Sequence, residues 1–82
     1  MRRDQRRGEV LNFIEDFTIE NRCPPTVREI QNALNIKSTS TVYDDIIVLK
    51  EEGFLEKVGS RIAPVYTEEY LEKLRKLVMA KR

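Results

Sequence analysis

Pro24-Pro25-Thr26-Val27-Arg28-Glu29-Ile30-Gln31-Asn32-Ala33-Leu34-Asn35-Ile36-Lys37-Ser38-Thr39-Ser40-Thr41-Val42-Tyr43-Asp44-Asp45-Ile46-Ile47-Val48-Leu49-Lys50-Glu51-Glu52-Gly53-Phe54-Leu55 is the stretch that decides the fold. The paired prolines stop any preceding helix, because a residue before proline is driven out of the α region. Thr26 offers a hydroxyl at a helix start and Glu29 follows three residues on, the pattern of a capping box. Val27, Ile30 and Leu34 then repeat at helical spacing, so a short helix is expected over Thr26 to Leu34. Asn35-Ile36-Lys37 breaks the period, and Ser38, Thr39 and Ser40 are three candidate caps for a second helix reaching about Glu52. Gly53 ends it, since glycine accepts the left-handed conformation past a helix C-terminus. Two helices joined by three or four residues make a helix-turn-helix.

The flanking sequence completes a small helical domain. Val10, Leu11, Ile14 and Phe17, with Phe13, form an apolar stripe predicting a first helix from Asp4 to about Asn21, with Gly8 a weak point in its first half. After the helix pair, Phe54 to Val58 and Arg61 to Val65 flank Gly59-Ser60, a two-residue loop suited to a type II′ hairpin turn. Pro64 cannot donate to a ladder, so its amide side is an edge. Thr67 to about Lys81 reads as a fourth helix, with Glu68 and Glu69 in its first turn, Lys81 and Arg82 at its end, and an apolar stripe of Tyr70, Leu71, Leu74, Leu77 and Val78. That stripe either packs on its own domain or pairs with a second copy; pairing is the expectation, because dimers of small modules are the common route to operator specificity.

Length and composition limit the function. At 82 residues the chain holds one small domain. The single Cys23 excludes an intrachain disulfide and is read as a small apolar plug; without histidine it leaves little from which to build a metal site. No run of residues approaches the length needed to span a bilayer, and no secretory leader is evident, so a cytoplasmic address is expected. No catalytic constellation, cofactor motif or small-molecule site is evident. Net charge is only +1, but it is unevenly spread: Arg2, Arg3, Arg6 and Arg7 crowd the start, whereas residues 38–56 carry Lys50 against five carboxylates. Any attraction to phosphate must therefore come largely from outside the second helix of the pair.

In helix-turn-helix docking the second helix enters the major groove and its first residues meet base edges. Ser38, Ser40, Thr41, Tyr43 and Asp44 are the candidate base readers: hydroxyls donate or accept, a threonine methyl can touch thymine, and a carboxylate accepts from cytosine N4. Thr26 and Arg28 at the start of the first helix of the pair, Lys37 in the turn, and Lys57, Ser60 and Arg61 at the hairpin tip are candidate backbone contacts. The Thr26 hydroxyl has two roles to fill, capping through its oxygen and donation through its proton. Val42, Ile46 and Leu49 face inward on the second helix; Ile47 and Val48 cannot share that stripe, and cover by the hairpin or the last helix is expected for them.

The motifs Pro24-Pro25-Thr26-Val27-Arg28-Glu29-Ile30, Ser38-Thr39-Ser40-Thr41-Val42-Tyr43 and Leu49-Lys50-Glu51-Glu52-Gly53-Phe54-Leu55 resemble the N-terminal DNA-binding domain of LexA repressors, in particular the Gram-positive form with Ser-Ser-Thr-Val in its second helix. The likeness runs from about Arg7 to Val58. It implies a mainly α fold with a small β-hairpin, a winged helix-turn-helix of three helices plus wing over residues 1–66. Residues 67–82 would then be an added C-terminal amphipathic helix and candidate dimerisation element. It implies a homodimer on palindromic double-stranded DNA, a transcriptional regulator of the repressor kind encoded by a bacterium or phage, reading with the helix at about 39–52. It places the serines, Thr41, Tyr43 and Asp44 where the family makes base contacts, and it brings Arg6 and Arg7, at the start of the first helix, near the DNA backbone. Two features differ from the family: Tyr43-Asp44-Asp45 replaces the residues usual there, and the chain stops at Arg82 without the self-cleaving serine-lysine domain. The apolar last helix argues against a truncated linker at that point. The rival function is a winged-helix protein-interaction module, which the acidic second helix and the Ile47/Val48 pair favour.

Overall fold

The structure, a computed structural model, describes residues 3–80. Arg2, read above in the basic cluster at the start, and Lys81 and Arg82, read at the end of the fourth helix, lie outside the described residues, as do the side chains of Arg3 and Val78. The elements are α1 (Arg3–Asn21), α2 (Val27–Ala33), α3 (Thr39–Glu51), β1 (Leu55–Val58), β2 (Arg61–Pro64) and α4 (Glu68–Ala80). This is the winged helix-turn-helix order with a helix added at the C-terminal end.

Local chemistry explains most of the boundaries. α1 runs unbroken through Gly8, which is exposed and costs helix propensity of about 1 kcal/mol. Thr26 caps α2 with the full reciprocal box: Thr26 Oγ1 accepts from the Glu29 amide at 3.2 Å and Glu29 Oε1 accepts from the Thr26 amide at 2.9 Å. α2 then closes in a Schellman motif. Asn35 takes the left-handed conformation at φ 54°, its amide donates to Asn32 O at 3.3 Å, and the Ile36 amide donates to Gln31 O at 3.0 Å. α3 ends the same way around Gly53 at φ 88°, with Gly53 N to Lys50 O at 3.1 Å and Phe54 N to Leu49 O at 2.9 Å. In each case the residue after the left-handed one, Ile36 or Phe54, packs against the core.

β1 and β2 pair antiparallel with Leu55 opposite Pro64 and Val58 opposite Arg61. Gly59 alone has positive φ in the loop, at 63°, the sign pattern of a type II′ turn. The register puts Pro64 opposite Leu55 at a position that exchanges no ladder bond, so its missing N–H faces the outer edge of β2. That same edge bonds back to the α1–α2 connection: the Ile62 amide donates to Pro25 O at 2.8 Å and Arg61 bridges Thr26. The wing is thereby fixed to the start of α2.

Val10 and Ile14 of α1, Ile30 of α2, Val42, Ile46 and Leu49 of α3, Leu55 and Ile62 of the hairpin form one core. Each such side chain contributes about 1.5–3 kcal/mol by burial. α4 docks on α1. Its N-cap Thr67 Oγ1 accepts from the Tyr70 amide at 3.2 Å, Tyr70 is 3% exposed, and Lys73 Nζ pairs with Glu15 at 3.2 Å and Asp16 at 2.9 Å. Burial disfavours the Lys73 charge, but the bonds from Asp16 and Glu15 outweigh it and raise the ammonium pKa. Tyr70 therefore belongs to the packing of the domain, which corrects its place among the dimer candidates. Leu74 and Leu77 are half-buried and Leu71 is exposed.

A second correction concerns Ile47. Ile47 is 51% exposed and Val48 is half-buried. Ile47 points away from the Val42/Ile46/Leu49 stripe, the four-residue strands of the hairpin do not reach over it, and α4 docks on α1 instead.

Candidate nucleic-acid interface

Tyr43 and Ile47 of α3 share one groove with the start of α2 and the tip of the wing, and the exposed start of α3 precedes them on the same helix. Ser38, Thr39 and Ser40 are exposed, Thr41 is half-buried, and Tyr43 and Asp44 are exposed on the next turn. Ser38 has the extended backbone of an N-cap, φ −118° and ψ 131°, yet its side chain makes no capping bond. The Thr39 hydroxyl donates to Gln31 Oε1 at 2.9 Å, tying the two helices of the pair across the turn. The sequence reading of three competing caps thus resolves into one backbone cap and one inter-helix tether, with the hydroxyl of Ser38 left for other partners.

Lys37 lies in the turn just before this start, and Arg28, Lys57 and Ser60 share a groove with Tyr43; all four are exposed. Between the start of α2, α3 and the hairpin runs a groove of about 490 Å³ whose walls include Val27, Tyr43, Ile47 and Ile62, with Arg28, Lys50 and Lys57 also lining it. Lys50 was absent from the sequence-derived set, though its spacing was a usable signal: residues 43, 47 and 50 follow one helix face at steps of four and three.

Four of the candidate backbone residues, Thr26, Arg61, Arg6 and Arg7, are already engaged within the chain. The Thr26 hydroxyl accepts from the Glu29 amide and lies 3.1 Å from Glu29 Oε1, its only acceptor there, so the proton left open for phosphate is donated to the carboxylate instead. Glu29 is held below the usual carboxylate range, first by the Thr26 amide and also by the Thr26 hydroxyl and the charge of Arg61, against an opposing desolvation cost. Arg61 Nη1 donates to Pro24 O at 2.6 Å and sits 3.6 Å from Glu29 Oε1; it also lies 4.0 Å from the sulfur of half-buried Cys23.

Arg6 is the third. Its Nε donates to Asp45 Oδ2 at 2.6 Å and its Nη2 to Asp45 Oδ1 at 3.0 Å, a two-pronged bond from α1 to the middle of α3. Asp45 is 1% exposed. Its bond raises the already high Arg6 pKa further, so the guanidinium is charged at every physiological pH. Arg7 turns the same way, its Nε 3.6 Å from Asp45 Oδ1 and its Nη1 3.6 Å from Asp4. Asp45 therefore does not contribute to the outward charge of α3, and the acidic balance inferred for residues 38–56 overstates what a partner meets on that helix. Nothing in the residue spacing signals this contact, which joins residues 39 apart.

Among the described residues, no group of three or more His, Cys, Asp or Glu side chains is placed to hold a metal ion, and no helix is long and apolar enough to cross a membrane.

Comparison with known proteins bears on the same face. The LexA DNA binding domain family matches residues 3–61. The LexA repressor of Roseiflexus sp. (strain RS-1) is 43% identical over 54 residues, 66% of this chain and 25% of the relative. That of Lactobacillus acidophilus is 49% identical over 59 residues, 71% and 28% of the two chains, and that of Limosilactobacillus reuteri (strain DSM 20016) is 48% identical over 52 residues, 63% and 25%. The chain thus spans about a quarter of the length of these relatives. No solved structure matches it. Because the matched region takes in α1, the whole helix pair, β1 and the turn of the wing, this chain belongs to the LexA DNA-binding domain family.

Proposed function

We propose that this chain binds double-stranded DNA at a specific sequence, with the start of α3 in the major groove, and represses transcription from the promoter it covers. The observation that carries the reading is the exposed start of α3, where Ser38, Ser40, Tyr43 and Asp44 stand clear of the packing, on a helix pair whose family is DNA-binding. Ser38, Ser40 and Thr41 supply hydroxyls, Tyr43 an aromatic face and Asp44 an acceptor for cytosine N4. Arg28, Lys37, Lys57 and Ser60 supply backbone contacts, and Lys50 joins them from the groove. The site of action is the nucleoid in the cytoplasm of a bacterial cell, with the gene carried by the bacterium or a phage. The acting form is a two-fold dimer on a palindrome, paired through the Leu71, Leu74 and Leu77 side of α4.

The test is selection of bound duplexes from a random pool at moderate salt, using wild type and a Ser40→Ala/Thr41→Ala variant. An enriched palindrome that the variant fails to enrich is the expected result. Equal, weak binding to every duplex, insensitive to salt, would favour the second reading, a protein-interaction module. That reading has one observation behind it, the exposed Tyr43 and Ile47 on the wall of the groove.

A further inference from the structure

The contact between α1 and the middle of α3 is chemically unlike the rest of the core. Elsewhere the core is built of eight apolar side chains, six from the helices and two from the hairpin. At Asp45 a carboxylate that is 1% exposed is gripped by both prongs of Arg6 and approached by Arg7. Such a buried carboxylate is tolerable only with well-formed bonds to its partner. The two arginine side chains are 23% and 25% exposed, so their outer parts still reach solvent. They reach it in a concavity of about 440 Å³ shared with Thr41, Asp44 and Ile47, beside the face that would read DNA. The Arg7 Nε is buried with no hydrogen-bond partner, drawn toward Asp45 but not bonded to it.

We propose that Asp45 is a specificity-determining residue, which holds Arg6, and with it Arg7, away from phosphate and so limits sequence-independent binding. This rests on the DNA-binding reading above. Cations that are free to meet phosphates strengthen binding to all duplexes alike, and only base contacts and DNA shape separate one sequence from another. Two arginines at the edge of a reading face would raise affinity for every duplex. Turned inward onto Asp45 they instead fix α3 against α1 at its midpoint, and the base-reading residues that precede that point gain a defined orientation. Asp45 acts through Arg6 and Arg7 and touches no base; it is a positioning residue.

The experiment uses the full chain as wild type, Asp45→Asn and Arg6→Gln, with two duplexes of equal length and composition: one selected from the random pool and one scrambled. Affinities are measured from 50 to 200 mM salt. Asp45→Asn should bind the scrambled duplex more tightly and with a steeper salt dependence, by roughly 0.9 in the log–log slope for each arginine released. Over that salt range each released arginine adds a factor of about 3.5 to the affinity change. The ratio of selected to scrambled affinity should fall. Arg6→Gln should leave the scrambled-duplex slope at the wild-type value, because Arg6 is withheld from phosphate in the wild type. An Asp45→Asn slope that is unchanged or shallower, with affinity lost equally for both duplexes, overturns the proposal and leaves Asp45 a structural residue only. A slope shallower by about 0.9 in Arg6→Gln also overturns it, since Arg6 would then be a direct phosphate contact. Should circular dichroism show that either single variant does not fold, the Arg6→Gln/Asp45→Asn double variant, which leaves no buried carboxylate without its partner, decides: a scrambled-duplex slope shallower than that of wild type by about 0.9 overturns the proposal. Wild type that binds neither duplex refutes the DNA-binding reading itself, whereas wild-type binding with an unchanged Asp45→Asn slope refutes only the role of Asp45.

Discussion

Replacing Tyr70 by alanine should detach α4 while leaving the winged domain folded. A buried aromatic side chain removes on the order of 200 Å² from water, and Tyr70 is 3% exposed. At about 25 cal/mol per Å², reduced for residual burial in the unfolded chain, the loss is roughly 3–4 kcal/mol. What remains of the attachment is weaker. The ion pair of Lys73 with Glu15 and Asp16 is partly exposed, and pairs of that kind contribute about 1 kcal/mol or less. Leu74 and Leu77 are only half-buried. An undocked helix of 13 residues is marginal in water. α1, α2 and α3 contain 19, 7 and 13 residues, so losing α4 removes about a quarter of the helical residues. The expected result is a fall of that size in ellipticity at 222 nm, fast hydrogen exchange confined to residues 68–80, and a cooperative melt retained by the remainder. Leu71→Ala, at an exposed position, should leave the ellipticity intact and act only on self-association measured by sedimentation. Full ellipticity and an unchanged melt in Tyr70→Ala, with self-association lost instead, would refute the assignment of Tyr70 to the domain's own packing.

Two further predictions test the caps that shape the helix pair. Glu29 has a folded-state pKa below its ordinary value, so its contribution to stability is present above the unfolded-state pKa and is lost as the pH falls through the folded one. Glu29→Gln should therefore melt below wild type near neutral pH, with the gap closing as the pH falls through the folded-state pKa; a gap that persists or widens in acid contradicts the capping role. Gly53 sits at φ 88° with open space where a Cβ would go, so an added methyl meets conformational strain and no clash. Gly53→Ala should cost about 1 kcal/mol, or about 4–8 °C in melting temperature, and Gly53→Asn less, because asparagine visits the left-handed region more readily. Equal melts for all three proteins would show that the α3 terminus does not depend on the left-handed residue.

On the DNA-binding reading, the engaged state of Thr26, Arg6, Arg7 and Arg61 changes which residues would be left to meet DNA. The start of α2 retains Arg28 but not the Thr26 hydroxyl, and the wing retains Lys57 and Ser60 while Arg61 fastens the hairpin to Pro24 and Glu29. The wing is thus a stiff, short element, held close to its turn by the Ile62 amide bond to Pro25. Such anchoring fixes the distance between the hairpin tip and α3, a geometric condition for a module that would touch bases and backbone together.

Local order was legible in the residues themselves. The Thr26–Glu29 box, the Gly53 terminus of α3, the Gly59-Ser60 turn and the Thr67 cap all depend on bonds that close within a few residues, so residue type and spacing specify them before any long-range contact forms. The inward stripe of Val42, Ile46 and Leu49 was equally readable, because the helical period alone puts those side chains on one face. The Schellman end of α2 was visible only as a break in the period; Asn35 signals it less strongly than glycine does. Tertiary structure decided what a helical wheel cannot show: what stands opposite each face. Asp45 lies on the flank of the α3 stripe, and its burial depends on a guanidinium delivered from 39 residues away. Ile47 is exposed because the wing is short and α4 packs on α1, and Tyr70 is buried because that same docking places it inside. Helical period and capping act along the chain. Burial of a charge or a side chain depends on partners brought together only when the chain has folded, and for that reason the fold was written locally while the assignment of each arginine was not.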